Sequence, residues 1–564
     1  MRRVPLVLLQ AIVILFFVAF FVTPIVQVLR GGVTDTEGRL TVVYLREVFR
    51  NPLYLEGLLN SLLIAVCTTS VCLLIAVPLA WLADRFEFVG KRILVAGLLL
   101  PLILPPFVGA LGMQRVFGQY GALNAGLAAV GFLAPEQAVD WLGGGGFLGI
   151  VLVEALHLFP VLYLNAVAAF ANVDPLLHEA AANLGCVGSQ RFRRITLPLV
   201  LPGIFAGSAI VFIWSFTELG TPLMFNFDRV TSVQIFHGIN EIGDSSMPYA
   251  LVMVMMAAAA LMYVLVRVGF GRRGYAMMSK ATVASHQVRL RGGASLGVAA
   301  IFSSLVLLAL LPHLGVLGIA VGKCWYRTVA PTGLTLEHAA AALGHNLTVP
   351  SILNSVRYAS VATAVALLVG VLIAFLVVRS RVRFAWLLDG LAMMPLAVPG
   401  LVLAFGYVAM SQKGRFFHFL NPIEDPTVLL IVAYAVRRLP YVVRAAVAGL
   451  QQTSEGFEEA AANLGATPWV SFRRITAPLI AANLIAGGIL AFSFSMLEVS
   501  DSLILAQKSA FFPITKAIYE LSMLLGQGQA LAAALGLWTM VFLGTSLLVA
   551  SCLLGRRLGA LFRV

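Results

Sequence analysis

The segment EAAANLG, residues Glu179–Gly185, decides the organisation of this chain because it occurs twice. It returns letter for letter at Glu459–Gly465, 280 residues further along. Each copy is followed by Phe-Arg-Arg-Ile-Thr and then by Pro-Leu. Both copies are polar and lie between long apolar runs. We therefore predict an internal duplication, in which each half carries one polar segment: the first polar segment (172–199) and the second polar segment (452–479).

The composition is that of a membrane protein. Of the 564 residues, 60% are hydrophobic and only 11% are charged, whereas soluble domains carry about 25% charged residues. Apolar runs long enough to cross a ~30 Å hydrocarbon core as helices recur along the chain. They are too long and too uniform for the alternating strands of a barrel. The composition predicts an all-α polytopic membrane protein.

We expect about twelve transmembrane helices, arranged as two parallel repeats of six. The predicted spans are 4–29, 57–83, 93–113, 147–170, 200–225, 248–267, 296–321, 352–378, 386–411, 427–448, 479–506 and 529–554. The predicted boundaries are a first repeat at 1–268, a basic linker at 269–295 and a second repeat at 296–564. The halves share the same orientation because each contains an even number of spans, unlike the inverted repeats of many secondary transporters.

The correspondence between the halves extends beyond the polar segments. Gly112 corresponds to Gly406 at a displacement of 294 residues. Glu218 corresponds to Glu498 at a displacement of 280 residues. The duplication therefore covers most of each half.

The net charge of +13 has a topological explanation. When Met1 is placed in the cytoplasm, the loops on that side hold more Lys and Arg than the loops opposite, as expected for cytoplasmic loops. Both termini and both polar segments are then predicted to be cytoplasmic. A nucleic-acid partner is not predicted.

The motifs of several enzyme and metal-binding classes are missing from the sequence. It has no GxxxxGK[ST] phosphate loop, no HExxH, no GxSxG and no CxxC pair among its five cysteines. We therefore expect no catalytic site, no metal site and no cofactor bound by this chain.

Each polar segment has the pattern of a short helix, a turn and a second helical piece. An acidic residue lies in the first turns, where the helix dipole favours it, and an Ala-rich stretch of high helix propensity follows. Gly185 and Gly465 are expected either to end this helix or to allow close approach of another backbone. A surface of small residues suits docking into a groove of another protein. The alternative is an amphipathic helix that rests on the membrane surface.

The two polar segments resemble the signature of the inner-membrane permease subunits of binding-protein-dependent ABC importers. In that signature Glu-Ala-Ala is followed after three residues by Gly, and after nine more by Ile-x-Leu-Pro. The first copy supplies Glu179, Ala180, Ala181, Gly185, Ile195, Leu197 and Pro198. The second supplies Glu459, Ala460, Ala461, Gly465, Ile475 and Pro478, with Ala477 in place of Leu.

The resemblance implies a type I ABC importer transmembrane fold, with two permease subunits fused in one chain in a bacterial inner membrane. Each polar segment would be a coupling helix seated in a cleft of a cytoplasmic ABC ATPase subunit. Those ATPase subunits, expected as a dimer, would use ATP and Mg. An extracytoplasmic binding protein would deliver the solute.

The sequence defines the solute less clearly than it defines the class of transporter. Fused double permeases of this size resemble the ferric-iron branch, whose relatives also handle thiamine, polyamines and phosphonates. The Lys-Glu-Leu-Pro run of the iron branch is replaced here by Leu497-Glu498-Val499-Ser500. A secondary transporter driven by an ion gradient is the alternative function, and a channel or membrane scaffold is a third.

Four ionisable residues within spans are candidates for the solute pathway, because charges inside a membrane are costly. They are Glu218, Glu498, Asp501 and Arg437. The carboxylates could line a cation pathway, or could be paired with a neighbouring helix or exposed at the outer mouth. Arg437 could meet an anionic solute, or could pair with a helix or reach the interface.

Overall fold

The computed structural model describes residues 3–35, 37–143, 146–271, 287–380 and 383–554. Most of the predicted linker (269–295) and both chain ends lie outside these residues. The described parts are almost entirely helical, which agrees with the predicted fold class. Two short strands, β1 (Phe86–Glu87) and β2 (Val288–Arg289), pair in parallel.

The helices of the two halves follow the same order along the chain. Those of the first half are α1 (Arg3–Phe17), α2 (Thr23–Gly32), α3 (Val43–Arg50), α4 (Pro52–Arg85), α5 (Lys91–Gly97), α6 (Pro106–Phe117), α7 (Ala122–Ala129), α8 (Phe147–Ala171), α9 (Pro175–Asn183), α10 (Gly188–Arg191), α11 (Leu197–Phe216), α12 (Gly220–Met224), α13 (Thr231–Gly238) and α14 (Met247–Gly271). Those of the second half are α15 (Gly292–Val321), α16 (Glu337–Gly344), α17 (Thr348–Val378), α18 (Ala385–Met393), α19 (Gly400–Met410), α20 (Thr427–Gln452), α21 (Gly456–Asn463), α22 (Pro468–Ser471), α23 (Ala477–Met496), α24 (Ser500–Leu505), α25 (Ile514–Ser522) and α26 (Gly528–Leu554).

Short helical turns of other types join or extend these helices. Three π-helical turns lie at Val18–Val22, Phe192–Thr196 and Phe472–Thr476. Turns of 3₁₀-helix lie at Leu100–Ile103, Pro135–Gln137, Ile239–Glu241, Met394–Leu396, His418–Leu420 and Ser509–Phe511. Two of the π-helical turns occupy equivalent places just before α11 and α23.

Nine helices of the described chain are long and apolar enough to cross a membrane. Two further predicted spans, the third and the ninth, are broken: residues 91–129 bend by 101° and residues 385–410 by 102°. Prolines explain both breaks, because each removes a backbone donor and clashes with the preceding helical turn. Pro105 and Pro106 lie at the first break and Pro399 at the second. The remaining predicted span, 427–448, lies in α20, which carries three arginines and is less apolar than the others.

The two halves exchange their first helices. Helix α2 packs on α14 of its own half and on α19 of the other half, and α15 packs on α26 and α6 in the equivalent way. The close packing of α15 on α6 and of α2 on α19 depends on the corresponding glycines Gly112 and Gly406. A Cβ atom on Gly112 would lie 2.2 Å from the Pro312 carbonyl oxygen, and one on Gly406 would lie 2.8 Å from that of Pro24. The first helix of each half therefore packs against helices of both halves.

We expect alanine at Gly112 to destabilise the protein, because the obstructing atom is backbone and cannot rotate away. Overpacking of this kind costs about 1–3 kcal/mol. The measurement is thermal unfolding of the purified chain, with Gly297→Ala as the matched control, since a Cβ atom there meets nothing within 4 Å. Equal melting temperatures for the two variants would contradict the prediction.

Candidate functional site

The first polar segment forms the predicted helix and turn. Asp174 caps α9, and its side chain accepts a hydrogen bond from the Leu176 amide at 2.9 Å. The helix ends at Gly185, whose φ is +76°. The amides of Gly185 and Cys186 donate to carbonyl oxygens inside the helix at 2.9 Å each. Glycine is favoured at this position because the left-handed conformation is unfavourable for most other residues.

The second polar segment ends its helix in the same way. Gly465 has a φ of +83°, and its amide donates to the Ala462 carbonyl oxygen at 3.0 Å. The Ala466 amide donates to the Ala461 carbonyl oxygen at 2.9 Å. The matching backbone geometry means that the two segments present the same shape.

The structure places most of the signature residues on the surface. Of those predicted to couple to an ATPase, Glu179, Ala180, Gly185, Glu459, Ala460, Gly465 and Pro478 are exposed, Ile195, Pro198 and Ile475 are half-buried, and Ala181 and Ala461 are buried. One side of each short helix is therefore buried, and the other side is exposed. The segments are therefore surface features and not part of the helix bundle.

A large apolar side chain lies at the equivalent tip of each polar segment. Leu184 is 87% exposed and Leu464 is 90% exposed. Neighbouring apolar side chains, including Val187 and Trp469, are exposed as well. An exposed apolar patch on a polar rim is typical of an interaction site. Each tip has the chemistry of a docking surface for another protein.

The four pathway candidates line or adjoin one cavity between the two halves. Its volume is about 130 Å³, far below the ~300–1,000 Å³ of pockets for drug-sized ligands. Its ionisable or polar lining residues are Glu154, His157, Thr217, Glu218, Arg437, Arg438, Glu498 and Ser500. The halves meet beside it, since a Cβ atom on Gly220 would lie 2.9 Å from Val499 Cγ1. The cavity could hold an ion or a few water molecules.

The wall from the second half contains a buried ion cluster. The two carboxylate oxygens of Glu498 accept hydrogen bonds from Arg437 and Arg438, one each. Arg437 also lies 3.4 Å from a carboxylate oxygen of Asp501, which is fully buried. Arg438 donates to the Phe494 carbonyl oxygen at 3.0 Å. Three of the four predicted pathway residues are thus joined in one network.

The wall from the first half contains carboxylates that pair with no arginine among the described residues. Glu218 Oε1 accepts hydrogen bonds from the amides of Gly220 and Thr221 at 3.1 and 3.3 Å, so it caps α12. Glu154 is 1% exposed and accepts a hydrogen bond from the Ser215 hydroxyl. The equivalent places in the two halves therefore differ in charge, although their backbones correspond.

Two ionisable residues that line this cavity, Glu154 and His157, were not among the predicted pathway candidates. Glu154 lies within an otherwise apolar run, and the cost of a charge there would have identified it. The Nδ1 atom of His157 lies within hydrogen-bonding distance of the Pro101 carbonyl oxygen, at 2.9 Å. The two residues are far apart in the chain, so sequence spacing does not indicate this contact. No cluster of three or more potential metal ligands occurs among the described residues.

The chain is similar in sequence to known transport proteins. The family model described as the binding-protein-dependent transport system inner membrane component matches residues 76–272 and 366–551. The ferric transport system permease protein FbpB of Actinobacillus pleuropneumoniae is 26% identical over 508 residues, or 87% of this chain and 70% of that protein. The molybdenum transport system permease protein ModB of Escherichia coli is 33% identical over 173 residues, or 29% of this chain and 71% of that protein.

A chain of a bacterial ABC transporter that imports the polysaccharide alginate is 17% identical, with a TM-score of 0.40, over 47% of this chain and 96% of that chain. The family assignment comes from the two matches to the family model, one in each half, which together cover more than half of the sequence. They confirm the resemblance that the repeated signature indicated. The chain belongs to the inner membrane components of binding-protein-dependent transport systems, in which it carries the permease unit twice.

Proposed function

We propose that this ABC importer permease takes up ferric iron, delivered by an extracytoplasmic binding protein and driven by separate ATPase subunits. The similarity to FbpB over 87% of the chain supports this solute. The family also favours an importer over the alternative of an ion-driven secondary transporter. Both termini and both polar segments would be cytoplasmic, consistent with the distribution of Lys and Arg.

The observation that carries the coupling role is the pair of exposed leucines, Leu184 and Leu464. Two equivalent apolar tips on one chain suit two equivalent clefts, as a dimer of ATPase subunits would provide. ATP and Mg would be used by those subunits. Hydrolysis would act on the permease as a shift between inward-facing and outward-facing populations, transmitted through the two polar segments.

The cavity between the halves would then be the constriction of the solute pathway. Three acidic side chains line it, Glu154, Glu218 and Glu498, against the two arginines Arg437 and Arg438. An excess of carboxylate in a low-dielectric site favours a cation. An oxyanion is the second candidate, because the similarity to ModB and the two arginines favour it.

The test is uptake of radiolabelled ferric iron by cells that contain the chain, its binding protein and its ATPase. We expect accumulation that stops when the ATPase gene is deleted and that survives a protonophore while ATP stays high. Molybdate and phosphonate are measured in parallel. Accumulation of an oxyanion without iron would replace the proposed solute and keep the importer, whereas uptake that persists without the ATPase would contradict both.

A further inference from the structure

The second polar segment is anchored to the membrane helices through Arg379, the residue that follows α17. The side chain of Arg379 is only 6% exposed. It donates to Glu458 at 3.3 Å and approaches Glu455 at 3.4 Å. Its Nη2 atom also donates to the carbonyl oxygens of Leu450 and Thr453, at 2.9 and 2.6 Å. One guanidinium thus holds the end of α20 and the start of α21 together.

The anchor also reaches the far end of the segment. The Thr476 hydroxyl donates to the same Glu458 oxygen at 2.8 Å, and Thr476 is 1% exposed. The entry and the exit of the second polar segment are therefore joined through Glu458 and Arg379. Charge-assisted hydrogen bonds of this kind are stronger than neutral ones, and a planar guanidinium fixes their geometry.

The first half has the arginine but not its carboxylate partners. Arg85 corresponds to Arg379, while His178 takes the place of Glu458. Within the described ranges Arg85 makes no ion pair, and its guanidinium lies over the rings of Trp81 and Phe86 at 5.8 Å from each centroid. The polar anchor is thus present in one half only.

His178 cannot replace the missing carboxylate. Its burial, together with the nearby guanidinium groups of Arg191 and Arg85, lowers the pKa of its imidazole. The ring is therefore neutral at physiological pH, and its Nδ1 atom has no hydrogen-bond partner in the described chain. The first polar segment is attached to the bundle mainly by packing.

We propose that Arg379 is a positioning residue that makes the second polar segment a rigid lever, while the first polar segment is free to adjust to its partner. The inference rests on the proposed coupling function and adds to it that the two segments are unequal. A rigid segment passes a displacement of the ATPase directly to α20 and α23. A loosely held segment absorbs part of the same displacement by local opening.

Hydrogen–deuterium exchange of the full chain in lipid nanodiscs tests the anchor without any partner. In Arg379→Gln we expect about tenfold faster exchange over 456–463, because a buried network of charge-assisted bonds is lost. The matched variant Arg85→Gln should leave exchange over 175–183 unchanged. His178→Glu should slow that exchange, because it places a carboxylate beside two arginines. An unchanged rate in Arg379→Gln, or equal effects in both halves, overturns the proposal.

Uptake and co-purification of the ATPase test the positioning role. We expect Arg379→Gln to lose about tenfold in uptake while it retains the bound ATPase, with Arg379→Lys intermediate and Arg85→Gln within about twofold of wild type. If exchange responds as expected but uptake is equal in all variants, Arg379 anchors the segment without positioning it for transport, and the proposal fails. If wild-type chain retains no ATPase, the coupling function itself fails, and the exchange result still decides whether the anchor exists.

Discussion

Replacing both Gly185 and Gly465 with valine should lower solute uptake by at least about tenfold, while the protein still inserts and folds. Each glycine holds a φ near +80° at the end of its short helix. The left-handed conformation costs an L-residue about 1–2 kcal/mol, and more when its side chain is β-branched. A cost of 1.4 kcal/mol corresponds to a factor of ten in an equilibrium constant. The turn should therefore relax to another conformation and carry Leu184 and Leu464 away from their docking positions.

The effect should come from the backbone and not from crowding within the chain, since a Cβ atom on either glycine would meet nothing within 4 Å. Asparagine tolerates this conformation better than valine, so Gly185→Asn with Gly465→Asn should keep most of the uptake. Gly414→Val is the matched control, because Gly414 has a φ of +83° and open surroundings but lies outside both polar segments. A large loss in that control, or full uptake in the double valine variant, would contradict the prediction.

The fold was predictable where sequence patterns are local. Apolar runs fixed the positions of most spans, and the glycine at each helix end follows from backbone sterics alone. The exchange of first helices between halves could not be predicted, because it depends on tertiary packing at Gly112 and Gly406, and spacing along the chain carries no information about it. The spans at 93–113 and 386–411 were predicted as unbroken helices, and the bends of 101° and 102° were not predicted.

The candidate pathway was predicted only in part, because sequence patterns identify ionisable residues but not which of them come into contact. Glu498, Asp501 and Arg437 were recognised because each is an ionisable residue in an apolar run. Their joining into one network depends on the packing of α20 against α24 and the residues just before it, which requires the three-dimensional structure. Arg437 is an internal partner of two carboxylates in this structure.

The second large effect is expected for Glu498→Gln, which should destabilise the folded chain by about 3–5 kcal/mol. The carboxylate of Glu498 is 5% exposed and accepts hydrogen bonds from both Arg437 and Arg438. The amide has no charge to offset two buried guanidinium groups. Asp501, 3.4 Å from Arg437, would remain as the carboxylate partner of that arginine. Arg438 would have no carboxylate partner. Thermal unfolding of the purified chain in a single detergent measures the loss.

Glu218→Gln is the matched control at the equivalent place in the first half. Within the described residues Glu218 pairs with no arginine; it accepts hydrogen bonds from the amides of Gly220 and Thr221 and from the Thr221 hydroxyl. An amide oxygen can accept the same bonds, so we expect a loss of about 1 kcal/mol or less. Equal destabilisation by the two variants would show that burial of the side chain, and not charge pairing, sets the cost.

The double variant Glu498→Gln with Arg438→Leu tests whether these two side chains stabilise the protein as a pair. Arg438→Leu introduces the residue that the first half has at Leu158, and it removes the guanidinium that Glu498→Gln leaves without a carboxylate partner. We expect the double variant to be more stable than the sum of the two single losses predicts, because residues in one ion network couple in this way. Simple additivity would mean that Glu498 and Arg438 stabilise the protein independently.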